Sequence, residues 1–370
     1  MRVLVVNAGS SSVKLRLLSA GDEVVGRVDL GAPSELDGGV VRSAIDSLVS
    51  SSGSGVDAVG HRVVHGGQRF TGPVVVDDGV RAELESLVDL APLHQPVSLA
   101  GMDAVRAALP ELPAVACFDT AFHATMPPEA VTYPVPAAWR SDYGVRRYGF
   151  HGLSHAYASR RAAEVLGRDA GTLRLVSCHL GAGASLCAIS GGRSVDTTMG
   201  FTPLEGLVMA TRSGTVDPGL LLWLQERQGL SAAEVSDALE HRSGLTGLAG
   251  TADMREVLSR MDGGDETAAT AFRVYAYRLR AAIAAMAAGM SGVDAVAFTG
   301  GIGEAAPAVR EGAVAGLEHL GLAVNPGKNE AARGDANISA PGAPAGVAVV
   351  TAREDLEIAA QVRTILGSRE

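Results

Sequence analysis

The chain has 370 residues, a length that predicts about two domains. Its 47% hydrophobic and 19% charged residues exclude a wholly disordered chain. Acidic residues outnumber basic ones by 41 to 31, a net charge of −10, which disfavours nucleic acid and anionic membranes as partners. Cys117, Cys178 and Cys187 have neither zinc-ribbon nor CxxC spacing, and no signal-peptide pattern precedes the first strand. We therefore expect a cytoplasmic protein with reduced thiols.

The first half of the chain predicts strands that alternate with helices. Strands are predicted over residues 2–6 and 13–18 and within the runs GDEVVGRVDL, DAVGHRVVHGG and PAVACFDTAFH. Apolar spacing predicts helices over 80–90, 96–109 and 153–166. The polar segment 34–55 predicts a surface helix and loop, and residues 126–149, rich in Pro, Tyr and Arg, predict a loop region.

The second half repeats the opening layout of strand, glycine turn and strand. LRLVSCHL, GAGAS and LCAIS follow one another at 173–190. Helices are predicted over 217–228, 231–240, 252–261 and 266–290, the last of which includes an apolar stretch too short to span a bilayer. DAVAFTGGIGE and GVAVVT add strands before a final helix after Glu354. This order predicts an α/β protein with mixed sheets, duplicated, with a cleft between its halves.

Three glycine-bearing turns each follow an apolar strand: NAGSSS, HLGAGAS and FTGGIGE. Glycine lets successive backbone N–H groups approach an anion closely. The Ser10–Ser12 hydroxyls and Lys14 would add donors to the first turn. A single such turn is most often only a hairpin, but three at strand ends favour phosphate binding. The Walker pattern is absent, so a P-loop enzyme is excluded.

Arginine and histidine flank the buried strands and can surround a phosphoryl group. The candidates from HRVVHGG, FDTAFH, YGFHGLSH and TRSGTVDPG are Arg62, His65, Asp119, His123, Phe150, His151, His155 and Arg212. His151 and His155, four residues apart, could instead bind zinc, although no third ligand is evident. Glu354 has two interpretations: Thr351 and Glu354 match a capping box, or the carboxylate holds Mg²⁺ waters.

Seven strings resemble, in their order and spacing, the motifs of the acetate/propionate kinase family. They are VVNAGSSSVK, GHRVVHGG, FDTAFH, YGFHGLSH, HLGAGAS, TPLEGLVMATRSGTVDP and FTGGIGE. That family belongs to the sugar kinase, Hsp70 and actin superfamily. The resemblance runs from Asn7 to Glu354 and implies two duplicated actin-like (ribonuclease H-like) domains, each a mixed β-sheet flanked by helices, with a central cleft. The expected boundaries are 1–121 plus 355–370 for the first domain and 122–354 for the second.

The resemblance implies a homodimeric enzyme that transfers the γ-phosphoryl group of ATP reversibly and in line to acetate, giving acetyl phosphate and ADP. Mg²⁺, or Mn²⁺ in its place, would be positioned by Asn7 and Glu354. The implied catalytic residues are Arg62, Asp119, His151 and Arg212. The implied acetate pocket comprises Arg62, Val64, Leu93, Phe150 and Pro203. The implied nucleotide contacts, with Lys14 added from the first turn, are His179, Gly181, Gly183, Asp253, Arg255, Gly301, Ile302 and Gly303.

Three positions depart from the family pattern: Ala182 where HLGNG is usual, Ala305 where GIGEN is usual, and Arg353 where a polar residue such as Asn is usual. Three alternatives stay open. The acceptor could be propionate or butyrate, although Val64 favours acetate. The donor could be pyrophosphate, although small residues at 301 and 302 favour ATP. A non-catalytic actin- or Hsp70-like protein is the third, against which the retained Arg62, His151 and Arg212 argue.

Overall fold

The structure, a computed structural model, describes residues 1–8, 13–31, 38–53, 55–92 and 95–368. The chain divides into two compact units. The first comprises Met1–Ala124, Phe150–Tyr157 and Arg353–Glu370, and the second comprises Thr125–Gly149 and Ala158–Ala352. The boundaries expected from the sequence stay a prediction, and these units differ from them most at Phe150–Tyr157. The serine turn at 9–12 lies outside the described residues.

The first unit is built on a six-stranded mixed sheet. Its strands, numbered in chain order, are β1 Val3–Ala8, β2 Val13–Leu18, β3 Val24–Leu30, β4 Ala58–Val63, β5 Val74–Val75 and β6 Ala114–Phe118. Their order across the sheet is β3-β2-β1-β4-β6-β5. The pairs β1–β4 and β4–β6 are parallel, and the other pairs are antiparallel. The two predicted opening strands are therefore confirmed as β1 and β2.

The helices of this unit cover both faces of the sheet. They are α1 Gly38–Ser52, α2 Asp78–Ser86, α3 Gln95–Ala108, the start of α6 Gly152–Leu166, and α15 Glu354–Gly367. Leu4 and Val6 of β1 belong to a core with residues of α1 and α3, whereas Val3 and Val5 pack with residues of α15. Because alternate side chains enter opposite cores, the opening strand is apolar throughout.

The second unit repeats the same topology. Its strands are β7 Arg174–Leu180, β8 Ala184–Ser190, β9 Arg193–Thr197, β10 Ala295–Thr299, β11 Ala336–Asn337 and β12 Gly346–Val349. Their order is β11-β12-β10-β7-β8-β9, which matches the first sheet strand for strand when β7 is set against β1. The parallel pairs are again the central ones, β7–β10 and β10–β12. This duplicated actin-like fold confirms the predicted fold class. The expected cleft between the halves stays a prediction.

The helices of the second unit are α4 Pro128–Val131, α5 Ala137–Tyr143, α7 Pro218–Gln228, α8 Ala232–His241, α9 Gly244–Ala249, α10 Met254–Asp262, α11 Glu266–Gly289, α12 Gly300–Ala305, α13 Pro307–Val314 and α14 Pro326–Ala331. The longest, α11, begins after an Asp265 cap and buries residues three or four positions apart, among them Tyr275, Leu279 and Ile283. Among the described residues, no helix has the length and apolarity needed to cross a membrane.

Two predictions of local structure were wrong or incomplete. Residues 126–149 were expected to be a loop, but they contain α4 and α5. The prolines that suggested a loop occupy the starts of both helices, where a missing N–H costs nothing. The strand β9 and the six-residue helix α9 were not predicted, because both are short and neither carries a strong periodicity.

Unfolding should become easier in acid because of His61, a buried residue of β4. Its side chain is 2% exposed, and its Nε2 has no hydrogen-bond partner among the described residues. Burial lowers the pKa of His61 to about 4, and Asp103 only partly opposes this. Because the pKa is lower in the folded state than in the unfolded state, the stabilisation is complete above about pH 6.5. It is lost as the pH falls towards 4.

We expect His61→Phe, which cannot titrate, to reduce the fall in unfolding free energy between pH 7 and pH 4.5 by about 2–3 kcal/mol. Urea denaturation at several pH values measures this difference. Substitution of His241, an exposed histidine, by Gln is the control and should leave the pH dependence unchanged. An unaltered pH dependence in His61→Phe would contradict the assignment.

Candidate functional site

The carboxyl ends of three parallel strands bring polar candidates together in the first unit. Asn7 lies near the end of β1, Arg62 near the end of β4, and Asp119 directly after β6. Because β4 pairs in parallel with both β1 and β6, these ends lie at the same edge of the sheet. In open α/β sheets this edge is where ligands bind.

Arg62 is the hub of a hydrogen-bonded network at this edge. Its Nε and Nη2 donate to the two carboxylate oxygens of Asp119, at 3.1 and 2.6 Å, and its Nη1 donates to Asn7 Oδ1 at 3.2 Å. Burial lowers the pKa of Arg62, but Asp119 and Glu354 more than reverse this and raise it above its usual value. Burial raises the pKa of Asp119, and Arg62 opposes that rise. The guanidinium is therefore held as a fixed cation.

Glu354, the first residue of α15, completes this network. Its Oε2 accepts a hydrogen bond from Asn7 Nδ2 at 3.3 Å and lies 3.7 Å from Arg62 Nη1. The capping-box interpretation was wrong. The cap position is Arg353, which makes no side-chain cap bond, whereas the box needs Thr351 at the cap and Glu354 three positions later. The Thr351 N–H is bonded to Asp335 instead.

His151 stands in a backbone conformation that non-glycine residues rarely adopt. Its φ is +58°, in the left-handed region, which costs about 1–3 kcal/mol for such a residue. Gly152 then begins α6, and its N–H donates to the Asp119 carbonyl at 2.8 Å. A Cβ on Gly152 would lie 2.2 Å from that carbonyl oxygen, so only glycine permits this approach. Strain of this kind clusters at functional sites.

Besides Arg62, two described members of the expected acetate pocket lie in the first unit. Val64 is half-buried directly after β4, and Phe150 is buried. The His65 ring meets the Phe150 ring edge-on at 5.5 Å between centroids, and burial lowers the pKa of His65 to about 4. Leu93 lies outside the described residues, and Pro203 belongs to the second unit.

The backbone that carries Val64 is held by Gln95, a residue that was not predicted to have a role. Gln95 is fully buried at the start of α3. Its Oε1 accepts from the His65 N–H at 3.2 Å, and its Nε2 donates to the His65 carbonyl at 3.1 Å. The amide thus pairs with both backbone groups of one residue, as a neighbouring strand would. A lone Gln beside a Pro gives no signal of this role in the sequence.

A cavity of about 680 Å³ lies in the second unit and contains most of the expected nucleotide contacts. The cavity is lined by residues from three places: Gly181 and Ala182 from the β7–β8 turn, Asp253 and Arg255 from the start of α10, and Gly301 and Ile302 from α12. Most of its other lining residues are alanine, methionine, leucine and proline. Such a volume and apolar lining suit a nucleoside.

Three expected contacts and Lys14 do not line this cavity. Gly303 is buried behind it, and the Gly183 carbonyl accepts a hydrogen bond from Gly181 at 3.0 Å. His179 lies near the end of β7, paired with Thr299 of β10. Lys14 belongs to the first unit, exposed on β2 opposite Asn7.

Glycine is required at one position of the FTGGIGE turn and leaves space at the next. Gly300 has φ +78°, and a Cβ there would lie 2.8 Å from the Leu180 carbonyl oxygen. At Gly301 a Cβ would meet nothing within 4 Å. A larger residue at position 301 would therefore extend into the cavity and reduce its volume.

Arg212 lies in the second unit and fixes the loop that carries Pro203. Its Nη1 donates to the Pro203 carbonyl at 2.6 Å, and its Nε lies 3.8 Å from Glu240. Burial lowers the pKa of Arg212, and Glu240 opposes that shift. Arg212 and Pro203 are thus in direct contact, and their assignment to one acceptor site stays a prediction.

Comparison with known proteins identifies the relationship of the whole chain. Residues 38–360 match the model of the Acetokinase family. This chain belongs to the acetokinase family. An acetate kinase of Streptomyces avermitilis is 47% identical, over 99% of this chain and 98% of its own length.

Solved structures give the same relationship. The crystal structure of Porphyromonas gingivalis acetate kinase superposes with a TM-score of 0.91 at 39% identity, covering 99% of each chain. A propionate kinase from Francisella tularensis superposes with a TM-score of 0.90 at 34% identity, covering 97% of this chain and 98% of its own. The acetokinase fold is therefore shared over essentially the full length.

A cluster of three residues in this acetokinase holds the Pro203 loop and was not predicted. Glu205 accepts from Tyr133 Oη at 2.5 Å and from Arg147 Nη2 at 2.8 Å, and the Phe201 N–H donates to Tyr133 Oη at 3.0 Å. Burial raises the pKa of Tyr133, so the phenol keeps its proton. Glu205 stood within the TPLEG string, but its partners lie 72 and 58 residues away.

The site of the first unit has the donor chemistry that suits a divalent cation with a preference for oxygen ligands. Asn7, Asp119 and Glu354 present amide and carboxylate oxygens, which Mg²⁺ prefers. Within the described ranges, no group of three His, Cys, Asp or Glu residues is placed to hold a metal ion. A cation here would thus keep ligands from water or from substrate phosphates, as Mg²⁺ usually does.

Proposed function

We propose that this chain transfers the γ-phosphoryl group of ATP reversibly to acetate, forming acetyl phosphate and ADP. Membership of the acetokinase family, whose members are phosphotransferases with a carboxyl acceptor, supports the reaction class. The observation that carries the proposal is Arg62, held as a fixed cation at a sheet edge two residues before Val64. The cation of Arg62 matches the carboxylate of acetate, and the small apolar side chain of Val64 matches its methyl group.

The acceptor needs binding and charge compensation more than it needs a base. Acetate is already ionised at neutral pH, so no proton has to be removed before it attacks. Its carboxylate must instead approach the negatively charged phosphates. We assign Arg62 and Arg212 to the carboxylate and the moving phosphoryl group, and His151 to the oxygens of the transition state. Asp119 keeps the Arg62 fork in its orientation.

The acyl group would lie against Val64, Phe150, Pro203 and Leu93. Buried Phe150 is braced by the His65 ring, so this wall resists displacement by a longer chain. We therefore propose acetate as the preferred acceptor. Propionate is the second candidate, because the propionate kinase of Francisella tularensis has a closely similar structure.

The donor would bind in the second unit. The cavity beside Gly301 has space for an adenosine group, which favours ATP over pyrophosphate. Asp253, Arg255, Gly301 and Ile302 would contact the nucleoside, and His179 with the Gly181–Gly183 turn the phosphates. Ala182 is exposed on the cavity wall, so the missing asparagine amide leaves backbone N–H groups to act there.

We propose Mg²⁺, with Mn²⁺ as a substitute, for the site near Asn7, Asp119 and Glu354. When bound, the ion would neutralise charge on the nucleotide phosphates. Asn7 and Glu354 would hold it, through waters or directly. Their mutual hydrogen bond at 3.3 Å keeps both side chains at the sheet edge, and Arg62 orients the Asn7 oxygen.

A second copy of the chain would cover α7. Its sequence PGLLLWLQERQ has five large apolar residues, yet none of its residues is buried. Leu222 and Trp223 are 58% and 50% exposed. Contiguous exposed apolar surface of this kind marks an association site, and closed two-fold dimers are the commonest association. We therefore propose a homodimer. We also propose that the protein acts on small molecules in the cytoplasm, as the sequence leads us to expect.

Trapping of acetyl phosphate with hydroxylamine tests the function directly. We expect hydroxamate from acetate with MgATP, less from propionate, and none with pyrophosphate as donor. Arg62→Ala and Arg212→Ala should each lower turnover about 10³-fold or more, and Arg62→Lys should restore little, because lysine lacks the bidentate fork. Arg69→Ala, at an exposed arginine of the first unit, is the control. Wild-type turnover in either site variant would refute the assignment.

Glu354→Gln should raise the Mg²⁺ concentration needed for activity and reduce kcat by at least about 100-fold, because a neutral amide binds the cation less strongly. Its melting temperature should change little, since Glu354 makes no cap bond. Asp355→Asn removes the same charge from the same helix end and serves as the matched control. The measurement is the activity of both variants as a function of Mg²⁺ concentration. The same Mg²⁺ dependence in Glu354→Gln and Asp355→Asn would contradict a metal role for Glu354.

Leu222→Asp should convert the protein from dimer to monomer, because burying a carboxylate in an apolar interface is strongly unfavourable. Light scattering after size-exclusion chromatography measures the mass. Tyr143→Ser, at a residue 69% exposed outside α7, should leave the mass unchanged. A wild-type protein that is monomeric at micromolar concentration would disprove the dimer.

A further inference from the structure

His123 lies against the strained peptide that carries His151. It belongs to a 3₁₀ turn, Ala121–Thr125, directly after β6 and Asp119, and it is 1% exposed. Its Nε2 lies 2.9 Å from the Phe150 carbonyl oxygen. Because a carbonyl can only accept, Nε2 must carry the hydrogen and donate it. The mechanism described above gives this buried histidine no role.

The two peptide groups that flank His151 are both held by the segment that follows β6. On one side the Phe150 carbonyl accepts from His123. On the other side the Gly152 N–H donates to the Asp119 carbonyl at 2.8 Å. Between these two bonds His151 has its left-handed φ of +58°. A conformation that is unfavourable by itself persists where its surroundings determine it, and these two bonds are positioned to do so.

The imidazole rings continue this contact. The His123 ring lies 5.9 Å from the His155 ring, edge-on, and the His155 ring lies 6.5 Å from that of His151. His155 is fully buried one helical turn after His151, and its N–H donates to the His151 carbonyl at 2.9 Å. The His123 ring therefore packs beneath the turn that presents His151.

We propose that His123 is a positioning residue for His151. By donating to the Phe150 carbonyl it holds the 150–151 peptide in the orientation that the left-handed conformation requires. The His151 imidazole is thereby set in place before substrates bind. This inference rests on the role proposed above for His151 in phosphoryl transfer. The same hydrogen bond also fixes the backbone of Phe150, so it links the acyl pocket to His151.

The test compares His123→Phe, which keeps the ring but has no donor, with His123→Gln, whose amide nitrogen can reach the same carbonyl. We expect His123→Phe to lower kcat about 10- to 100-fold, the loss of one well-placed hydrogen bond, with the KM for ATP unchanged. His123→Gln should recover most of that loss. His61→Phe makes the same substitution at another buried histidine of this unit and should retain wild-type kcat.

A double-mutant cycle separates positioning from a general structural effect. If His123 acts through His151, then His123→Phe lowers kcat in the wild type but has no further effect in His151→Ala. Equal losses in both backgrounds would overturn the proposal, as would failure of His123→Gln to recover kcat. Should His123→Phe not fold, His123→Met replaces it as the variant without a donor. An active His151→Ala would instead refute the role of His151 itself.

Discussion

The ion pair between half-buried Arg62 and buried Asp119 organises the carboxyl edge of the sheet in the first unit. A guanidinium partly removed from water needs well-placed acceptors, and here both Asp119 oxygens and Asn7 provide them. Losing one partner of such a pair typically costs about 3–5 kcal/mol. The pair therefore fixes the ends of β4 and β6 relative to each other. Val64, Glu354 and the turn that carries His151 all depend on those two strand ends.

Local sequence patterns predicted the architecture, and together with the family resemblance they named the residues that meet at this edge. Apolar runs that end in glycine or polar residues marked β1, β4, β6, β7 and β10, and parallel pairing explains why Asn7, Arg62 and Asp119 meet. Patterns failed where the decisive contact was distant. Tyr133 and Arg147 reach Glu205 from 72 and 58 residues away. Thr351 looked like a helix cap, yet its N–H is bonded to Asp335, and the helix begins three residues later.

Duplication gives the two units one scaffold whose strand ends carry different residues. Both sheets present the carboxyl ends of three parallel strands, but the residues placed there differ in character. The first unit ends its strands in Asn7, Arg62 and Asp119, a charged and tightly bonded set. In the second, Gly300 and Gly301 follow β10, and Gly301 leaves space beside an apolar cavity. The common fold supplies the positions, and the residues at the strand ends make one site charged and the other apolar.

The packing of α15 determines when the first unit can finish folding during synthesis. Val3 and Val5 share a core with Ile358 and Val362 of α15, and Gly60 has no Cβ, which lets Ile358 lie against β4. One face of β1 therefore stays uncovered until α15 has been synthesised. Nearly all of the second unit has been synthesised by then. It can fold while the first unit still exposes one apolar sheet face, which chaperones would have to shield until α15 emerges from the ribosome.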